Sequence, residues 1–344
     1  MPACGVCGGE LALRYPGSDR TLDPALLSPT NHRPGEHADL YRCVACGTLQ
    51  QPSLPRGPEL AHLYRGMRDD AYLDEERGRR RTAVRILDLI APHAASGRLL
   101  DVGCGPGLLL DEARRRGFDV EGLELSDSAA AYARGELGLT VHQTPLEEYN
   151  PGGRRFDVLV LADVLEHLSD PVAALLRCRE LLRRGGVLCV VTPDPASPTA
   201  RLAGARWWGL LPAHTFLIPR TTLHGLVEAE GFAIARDASL VRSFSAGYWL
   251  AGLAERGGRI GALVRAIRRL IPPRVMLSVP LGDERVIVAR SVRDGLEKGA
   301  TKEKDLFSGS SSFTPPASAP ARTRPRSPPL PEAQAPPAAP APPS

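Results

Sequence analysis

Leu99-Leu-Asp-Val-Gly-Cys-Gly-Pro-Gly107 is the stretch of sequence that decides the fold. Residues 98–102 are predicted to form a buried strand, and residues 108–116 have the apolar spacing of a helix. The glycines between them allow a tight turn that a ligand can approach closely. The turn lacks both the G-x-G-x-x-G pattern of dinucleotide sites and the Gly-Lys-Ser/Thr of phosphate loops. Because Asp101 adds a carboxylate beside the turn, the sequence predicts a ligand that carries positive charge.

Strands alternate with helices along the chain from this turn onward. The predicted strands are residues 98–102, 118–125, 140–143, 156–162, 187–191, 232–235 and 285–289. The alternation predicts an α/β fold, a doubly wound, mostly parallel, Rossmann-like sheet of seven strands with helices on both faces. Glu124 ends the second strand, which in such a sheet lies beside the glycine turn. Its carboxylate is therefore placed to accept hydrogen bonds from the hydroxyls of a ribose.

The composition argues against a nucleic-acid-binding protein and against a membrane-spanning one. The 344 residues include 43 basic and 39 acidic side chains, and the formal net charge of +4 gives no reason to expect nucleic-acid binding. We find neither a leader sequence nor an apolar run long enough to span a membrane, so we expect a cytoplasmic protein without a transmembrane segment. Proline, alanine and serine crowd residues 293–344, and this composition predicts a disordered tail.

Two Cys-x-x-Cys pairs, each followed by glycine, lie in the N-terminal part of the chain. In a chain expected to be cytoplasmic, such pairs favour a metal site over disulfides. Four thiolates close a tetrahedral site and leave no position for a substrate, so we expect a structural zinc ion. The predicted ligands are Cys4, Cys7, Cys43 and Cys46. The loop between the pairs is longer than in compact zinc sites and contains His32 and His37.

These patterns divide the chain into four parts. Residues 1–55 are predicted to form a zinc ribbon, residues 56–97 a helical linker or lid, residues 98–292 the α/β domain and residues 293–344 the tail. The α/β domain contains an insert, residues 244–283, which has apolar residues at helical spacing and several arginines. The insert has two interpretations: a lid or dimer contact, or a segment that rests on an anionic membrane surface.

Residues 99–107 together with Glu124 resemble the class I S-adenosylmethionine-dependent methyltransferases. The resemblance continues in Phe156-Asp-Val-Leu-Val-Leu-Ala-Asp-Val-Leu-Glu-His-Leu-Ser-Asp-Pro171 and in Leu181-Leu-Arg-Arg-Gly-Gly-Val-Leu188. The second cysteine pair resembles that of zinc ribbons fused in front of such domains. The family resemblance implies S-adenosylmethionine as cofactor and transfer of its methyl group to a nucleophile.

The resemblance also implies the residues of the cofactor site. The implied contacts are Asp101 at the methionine amino group, Gly103, Gly105 and Gly107 along the methionine and ribose, Glu124 at the ribose diol, Leu125 and Leu146 at the adenine, and Asp163 facing the sulfonium and the acceptor.

Candidate catalytic residues follow the fourth and fifth predicted strands. His167, beside Glu166, has an ordinary pKa that suits a general base near neutral pH. The Asp163-x-x-Glu166-His167 pattern also resembles an element of quinone-biosynthesis O-methyltransferases that can hold a divalent cation. His214, in Trp-Trp-Gly-Leu-Leu-Pro-Ala-His-Thr-Phe, is a second candidate base. For all three side chains, structural hydrogen bonding within the core is the alternative interpretation.

The function predicted from these observations is methyl transfer to a small-molecule acceptor, with a sugar nucleotide or glycan precursor preferred. The first alternative is O-methylation of a quinone or phenol. An alternative of another class is a non-catalytic adapter that binds partners through the zinc ribbon and the proline-rich tail.

Overall fold

The computed structural model describes residues 3–18, 22–30, 36–254, 264, 272 and 275–292. The predicted tail, His32 and the insert's arginines between positions 256 and 269 lie outside this part of the chain. Among the described residues, no helix combines the length and the apolar character that crossing a membrane requires.

The elements are numbered here in chain order. The strands are β1 (Leu11–Tyr15), β2 (Leu40–Cys43), β3 (Leu49–Gln50), β4 (Gly97–Val102), β5 (Phe118–Leu123), β6 (Thr140–His142), β7 (Phe156–Ala162), β8 (Leu182–Pro193), β9 (Phe216–Leu217), β10 (Phe232–Ser239), β11 (Arg242–Ser245), β12 (Met276–Val279) and β13 (Glu284–Ser291). The α-helices are α1 (Pro58–Arg65), α2 (Glu76–Ile90), α3 (Leu108–Arg115), α4 (Asp127–Gly135), α5 (Pro171–Leu181), α6 (Pro198–Ala203), α7 (Arg220–Ala229) and α8 (Ala246–Ala254).

A seven-stranded sheet forms the centre of the fold, in the order β10-β13-β8-β7-β4-β5-β6. Neighbouring strands from β6 to β8 run parallel, and β13 is antiparallel to both of its neighbours. The predicted α/β fold class, with its mostly parallel seven-stranded sheet, is confirmed. The carboxyl ends of the parallel strands meet at one edge, which is where ligands bind in sheets of this kind.

The sheet separates two apolar cores because successive side chains of a strand point to opposite faces. On β4, Leu99 packs in the core shared with α2, α3 and α4, whereas Leu100 packs in the core shared with α5 and α7. Both side chains are fully buried. This burial on both faces explains why the strands are continuous apolar runs in the sequence.

The N-terminal cysteines lie in a second, antiparallel sheet with the order β1-β2-β3-β9. Its fourth strand comes from the segment that follows β8, and it pairs Leu49 with Leu217 and Gln50 with Phe216. The predicted ribbon therefore shares its sheet with a strand of the predicted α/β domain.

Two segments differ from the helices that periodicity suggests. The predicted helical linker, residues 56–97, is interrupted: α1 ends at Arg65, and a 3-10 helix, Asp70–Glu75, precedes α2. The insert begins not with a helix alone but with β11, which pairs with β12 in an antiparallel ribbon, and α8 follows β11. Strands of four residues contain too few alternations to be recognised in the sequence.

Candidate active site

A cavity of about 1760 Å³ opens at the carboxyl edge of the central sheet. Its wall includes the glycine turn, the ends of β5 and β7, α1, the segment between α6 and β9, and the start of the insert. A cavity at this position and of this size is the first place to look for a ligand site.

The glycine turn presents its backbone to the cavity. Gly103 and Gly105 have φ angles of 67° and 54°, in the left-handed region that favours glycine. A Cβ atom on Gly103 would lie 2.6 Å from Cγ2 of Val164, so the turn packs directly on the loop after β7. Among the described residues, a Cβ atom on Gly105 would have only the Tyr72 hydroxyl, at 3.9 Å, within contact distance. The backbone at Gly105 is therefore open to a ligand.

Glu124 connects the end of β5 to this turn. One carboxylate oxygen accepts a hydrogen bond of 2.8 Å from the Gly105 N–H, and the other accepts one of 2.7 Å from the Ser126 N–H. The side chain is 8% exposed, and burial raises its pKa. Asp101, at the end of β4, is also buried. Burial, followed by the charges of Glu124 and Asp163, raises the pKa of Asp101 well above its ordinary value.

Asp163 directly follows β7, has a strained conformation and pairs with Arg242 on β11. Its φ of 57° is in the left-handed region that residues other than glycine rarely adopt. Its Oδ1 accepts a hydrogen bond of 2.5 Å from Nη2 of Arg242 on β11. Nε of the same guanidinium donates to Oε2 of Glu284, also at 2.5 Å. Arg242 thus joins the loop after β7 to β13.

Carboxyl groups are concentrated at this edge of the sheet. Burial and then the Asp163 charge raise the pKa of Glu166 well above its ordinary value, and burial raises the pKa of Glu284 to about 7. Burial also raises the pKa of Asp101 and of Glu124, and for Asp101 the charges of Glu124 and Asp163 add to the effect. Burial is the largest cause in all four groups, because it disfavours the ionised form of a carboxyl group. The edge therefore favours a ligand that carries positive charge.

Glu166, His167 and His214 meet on one side of the cavity. One candidate ligand atom from each lies within 4.8 Å of the others. Nδ1 of His167 lies 3.1 Å from the Ala213 carbonyl oxygen and 3.0 Å from the Tyr64 hydroxyl, and Nδ1 of His214 lies 2.7 Å from the Gly209 carbonyl oxygen. Since a carbonyl only accepts, we place the proton of each ring on Nδ1.

Each neutral imidazole then has its lone pair on Nε2, and the lowered pKa values favour the neutral form. Burial lowers the pKa of His167, and burial followed by the proximity of His167 lowers that of His214 to about 3. The Thr192 hydroxyl donates to Oε2 of Glu166 at 3.0 Å. Neutral histidines oriented by backbone carbonyls can accept a proton or bind a cation. The same contacts also show that each ring has the structural partner that the alternative interpretation expects.

Aromatic side chains from residues 207–249 line another part of the cavity wall. The indole N–H groups of Trp207 and Trp208 donate to the same oxygen of Asp283, at 2.8 and 2.6 Å. Phe244 stacks on Tyr248 with ring centroids 4.2 Å apart. Trp208, Phe244 and Tyr248 all line the cavity. These rings offer flat, apolar surfaces to a second ligand.

The four cysteines form a compact cluster apart from this cavity. The Sγ atoms of Cys4 and Cys46 are 3.7 Å apart, and those of Cys7 and Cys43 are 3.5 Å apart. Ligands at about 2.3 Å from a tetrahedral zinc ion would be separated by about 3.8 Å. The trailing glycines of the two pairs have φ angles of 73° and 74°. The cluster therefore has the dimensions of a tetrahedral zinc site, and the glycines close its two turns.

Two solved structures match this chain with TM-scores below 0.5. The N-methyltransferase NodS from Bradyrhizobium japonicum WM9, in complex with S-adenosyl-L-homocysteine, is 15% identical with a TM-score of 0.43; the match covers 68% of this chain and 97% of that chain. The magnesium protoporphyrin IX methyltransferase ChlM from Synechocystis, with bound S-adenosyl-L-homocysteine, is 18% identical with a TM-score of 0.42; the match covers 65% and 89%.

Sequence comparison is more specific. A family profile described as a methyltransferase domain matches residues 75–236. A ubiquinone biosynthesis O-methyltransferase of Cereibacter sphaeroides is 34% identical over an alignment of 197 residues, and the match covers 53% of this chain and 78% of the relative. The chain belongs to the class I S-adenosylmethionine-dependent methyltransferases. A second relative with the same name, from Dinoroseobacter shibae, is 33% identical over an alignment of 197 residues, and the match covers 53% of this methyltransferase and 77% of the relative.

The methyltransferase brings most of the predicted site residues together. Those that line the cavity are Gly103, Gly105, Glu124, Leu125, Leu146, Asp163, Glu166, His167 and His214. Asp101 and Gly107 are not part of the lining: Asp101 is buried at the end of β4, and Gly107 precedes the first residue of α3. The individual roles of all these residues stay predictions.

Sequence reasoning missed three side chains of the methyltransferase site. Arg242 lies in a short strand without a motif, and Asp283 precedes β13 without one. Tyr64 lies on α1, far from the glycine turn in sequence. Each was brought to the site by tertiary packing, for which the sequence carries no local signal.

Proposed function

We propose that this methyltransferase transfers the methyl group of S-adenosylmethionine to a phenolic hydroxyl of a quinone-type acceptor. The observation that carries the proposal is the similarity to proteins named ubiquinone biosynthesis O-methyltransferase over 78% of the length of one such relative. The comparisons give no support to the sugar nucleotide or glycan precursor preferred from the sequence. An aromatic wall also suits a flat phenolic ring.

The cofactor end of the cavity has the groups that S-adenosylmethionine needs. Glu124 retains free lone pairs for the ribose hydroxyls while it accepts the Gly105 and Ser126 N–H groups. Asp101 and Asp163 supply negative charge for the ammonium and sulfonium groups. When bound, S-adenosylmethionine supplies an electrophilic methyl group. The contribution of the chain is to orient it against the acceptor, which is a large part of catalysis in a direct transfer.

The acceptor hydroxyl must lose its proton during the transfer. We propose that Nε2 of His167 accepts it, with the His214 ring beside the His167 ring and Glu166 held by Thr192. A divalent cation bound by Glu166, His167 and His214 is the second route that their separation allows, since it would lower the pKa of the hydroxyl. Asp163, which the sequence pattern places with Glu166 and His167, is instead paired with Arg242.

We also propose that Cys4, Cys7, Cys43 and Cys46 hold one structural zinc ion. The proposal is supported by the sulfur separations and by the two glycine-closed turns. Four thiolate ligands leave no open position, so the ion supplies stability and no chemistry.

The test is a methyl-transfer assay with S-adenosylmethionine labelled in its methyl group. We expect transfer to a catechol such as 3,4-dihydroxycinnamate and none to UDP-glucose or dTDP-glucose. His167→Asn is expected to lower the rate about 100-fold or more without changing cofactor affinity. Assays with EDTA and with added Mg²⁺ separate the two routes of proton removal. Transfer to the sugar nucleotides, with none to the catechol, would overturn the proposal.

A further inference from the structure

Gln51 connects the N-terminal sheet, formed by β1, β2, β3 and β9, to the turn that carries His214. Its side chain is fully buried, immediately after β3. Nε2 donates to the carbonyl oxygens of Leu211 and His214 at 2.9 and 2.7 Å, and Oε1 accepts from the Ala38 N–H at 2.8 Å. The backbone N–H donates to the Thr215 carbonyl at 3.0 Å. The amide of Gln51 thus joins the backbone at Ala38 to the backbone of residues 211–214.

The environment fixes which way the amide faces. Carbonyl oxygens surround Nε2, and an N–H group faces Oε1, so only the observed orientation satisfies both ends. Neither a carboxylate nor an apolar side chain of similar length could donate to the two carbonyls. A buried carbonyl that loses its donor destabilises the conformation in which it is buried.

The turn that Gln51 holds sets the position of the His214 imidazole. His214 donates from Nδ1 to the Gly209 carbonyl, so its ring direction depends on the backbone of residues 209–214. The ring is 4.8 Å from that of His167, measured between centroids. A shift of this turn would therefore change the position of the His214 ring relative to the His167 ring, and both residues line the cavity.

Contacts within the N-terminal sheet hold the backbone around Gln51 in place. β3 pairs with β9, and the adjacent Gln50 accepts a hydrogen bond of 3.1 Å from the Gly5 N–H beside the first cysteine pair. A Cβ atom on Gly5 would lie 2.8 Å from the Phe216 ring, so this turn is packed tightly on β9. The Thr222 hydroxyl donates to the Cys46 carbonyl at 2.7 Å.

We propose that Gln51 is a positioning residue of the methyl-transfer reaction, through which the N-terminal sheet fixes His214 on the acceptor side of the cavity. The inference rests on the proposed function, because it gives His214 a role at the acceptor. It makes the N-terminal sheet a part of the acceptor site rather than an accessory module.

The test compares Gln51→Met with Gln50→Met. The first removes the hydrogen bonds to the turn, and the second removes a buried hydrogen bond of the same kind that stays within the N-terminal sheet. For the Gln51 variant we expect catechol kcat/KM to fall about tenfold or more, with S-adenosylmethionine affinity and zinc content unchanged. The Gln50 variant is expected to lose stability and to keep kcat/KM of the folded protein within about threefold.

A second measurement does not depend on turnover. In ¹⁵N-histidine-labelled protein at fixed pH, the imidazole resonances of His214 report the Nδ1–H tautomer and its environment. We expect them to shift in Gln51→Met and not in Gln50→Met. Should Gln51→Met fail to fold, Gln51→Asn, which is too short to reach both carbonyls, takes its place.

The outcomes separate this inference from the proposed function. Unchanged His214 resonances in the Gln51 variant overturn the inference, and so does an equal loss of kcat/KM in both variants. A wild-type protein that fails to methylate catechols overturns the proposed function. In that case the resonances still decide whether Gln51 positions His214.

Discussion

Glu124 illustrates how one side chain serves both the fold and the site. It holds the glycine turn through Gly105 and the start of α4 through Ser126, and it faces the cavity. Each carboxylate oxygen still has a lone pair that neither N–H uses. The backbone hydrogen bonds fix the orientation of the carboxylate, which reduces the entropy cost of any ligand contact that it makes.

Replacing Glu124 with alanine is expected to weaken S-adenosylmethionine binding by about 10–100-fold, because charge-assisted hydrogen bonds to the ribose are lost. Isothermal titration measures the affinity. Glu121→Ala is the matched control: Glu121 lies on β5, which ends directly before Glu124, and pairs with Arg98 at 2.5 Å, but it does not line the cavity. An equal loss of affinity in both variants would show that the effect is a general loss of structure.

For individual residues, the sequence identifies a site residue when its neighbours in the chain determine its position. Glu124 could be identified because it ends a strand at a known distance from the glycine turn in the fold. Arg242 could not, because its partners Asp163 and Glu284 are 79 and 42 residues away, and no pattern marks it. Charged residues that act through long-range pairing leave no periodic signal.

Among the elements, the helical segment before the central sheet is hydrogen-bonded to β11, where the insert between β10 and β13 begins. Glu75 accepts hydrogen bonds of 2.6 Å from both the N–H and the hydroxyl of Ser245. Arg85 donates to the Val241 carbonyl at 2.6 Å and to the Ser243 hydroxyl at 2.7 Å. The predicted linker and the predicted insert thus form one side of the cavity together, although they are separate in sequence.

The four-cysteine cluster makes a prediction at the level of the N-terminal sheet. Cys43→Ser is expected to lower bound zinc from one equivalent to below about 0.1 and to destabilise the protein by several kcal/mol, because bound metal contributes directly to folding. Elemental analysis and thermal denaturation measure the two effects. Cys178→Ala is the control, since this buried thiol lies in the main core and should affect stability but not zinc.

For the whole molecule, the buried carboxyl groups determine how stability depends on pH. The pKa values of Asp101, Glu124, Glu166 and Glu284 are raised on folding, the last to about 7. Between the unfolded pKa values, near about 4, and the folded ones, the folded chain binds more protons than the unfolded chain. The free energy of unfolding therefore falls as pH rises through this window. Carboxylates with lowered pKa, such as Asp111, change only at lower pH.

A cationic cofactor should reverse this trend, because it stabilises the ionised carboxylates. We expect the rise in melting temperature caused by saturating S-adenosylmethionine to be larger at pH 8 than at pH 6, by about 2 °C or more. S-adenosylhomocysteine, which lacks the sulfonium charge, is the control and should show a smaller pH dependence. Equal pH dependence for the two ligands would contradict the role assigned to the carboxyl cluster.

The pairing of β3 with β9 also has a consequence for synthesis. Gln51 and His214 are 163 residues apart in the chain. At about 5–20 residues per second, the ribosome needs roughly 10–30 s to make the intervening segment. Throughout that interval Leu40 and Leu49 lack Trp207 and Leu217, against which they pack in the finished protein. The part of the chain that is made first is therefore among the last to reach its final packing.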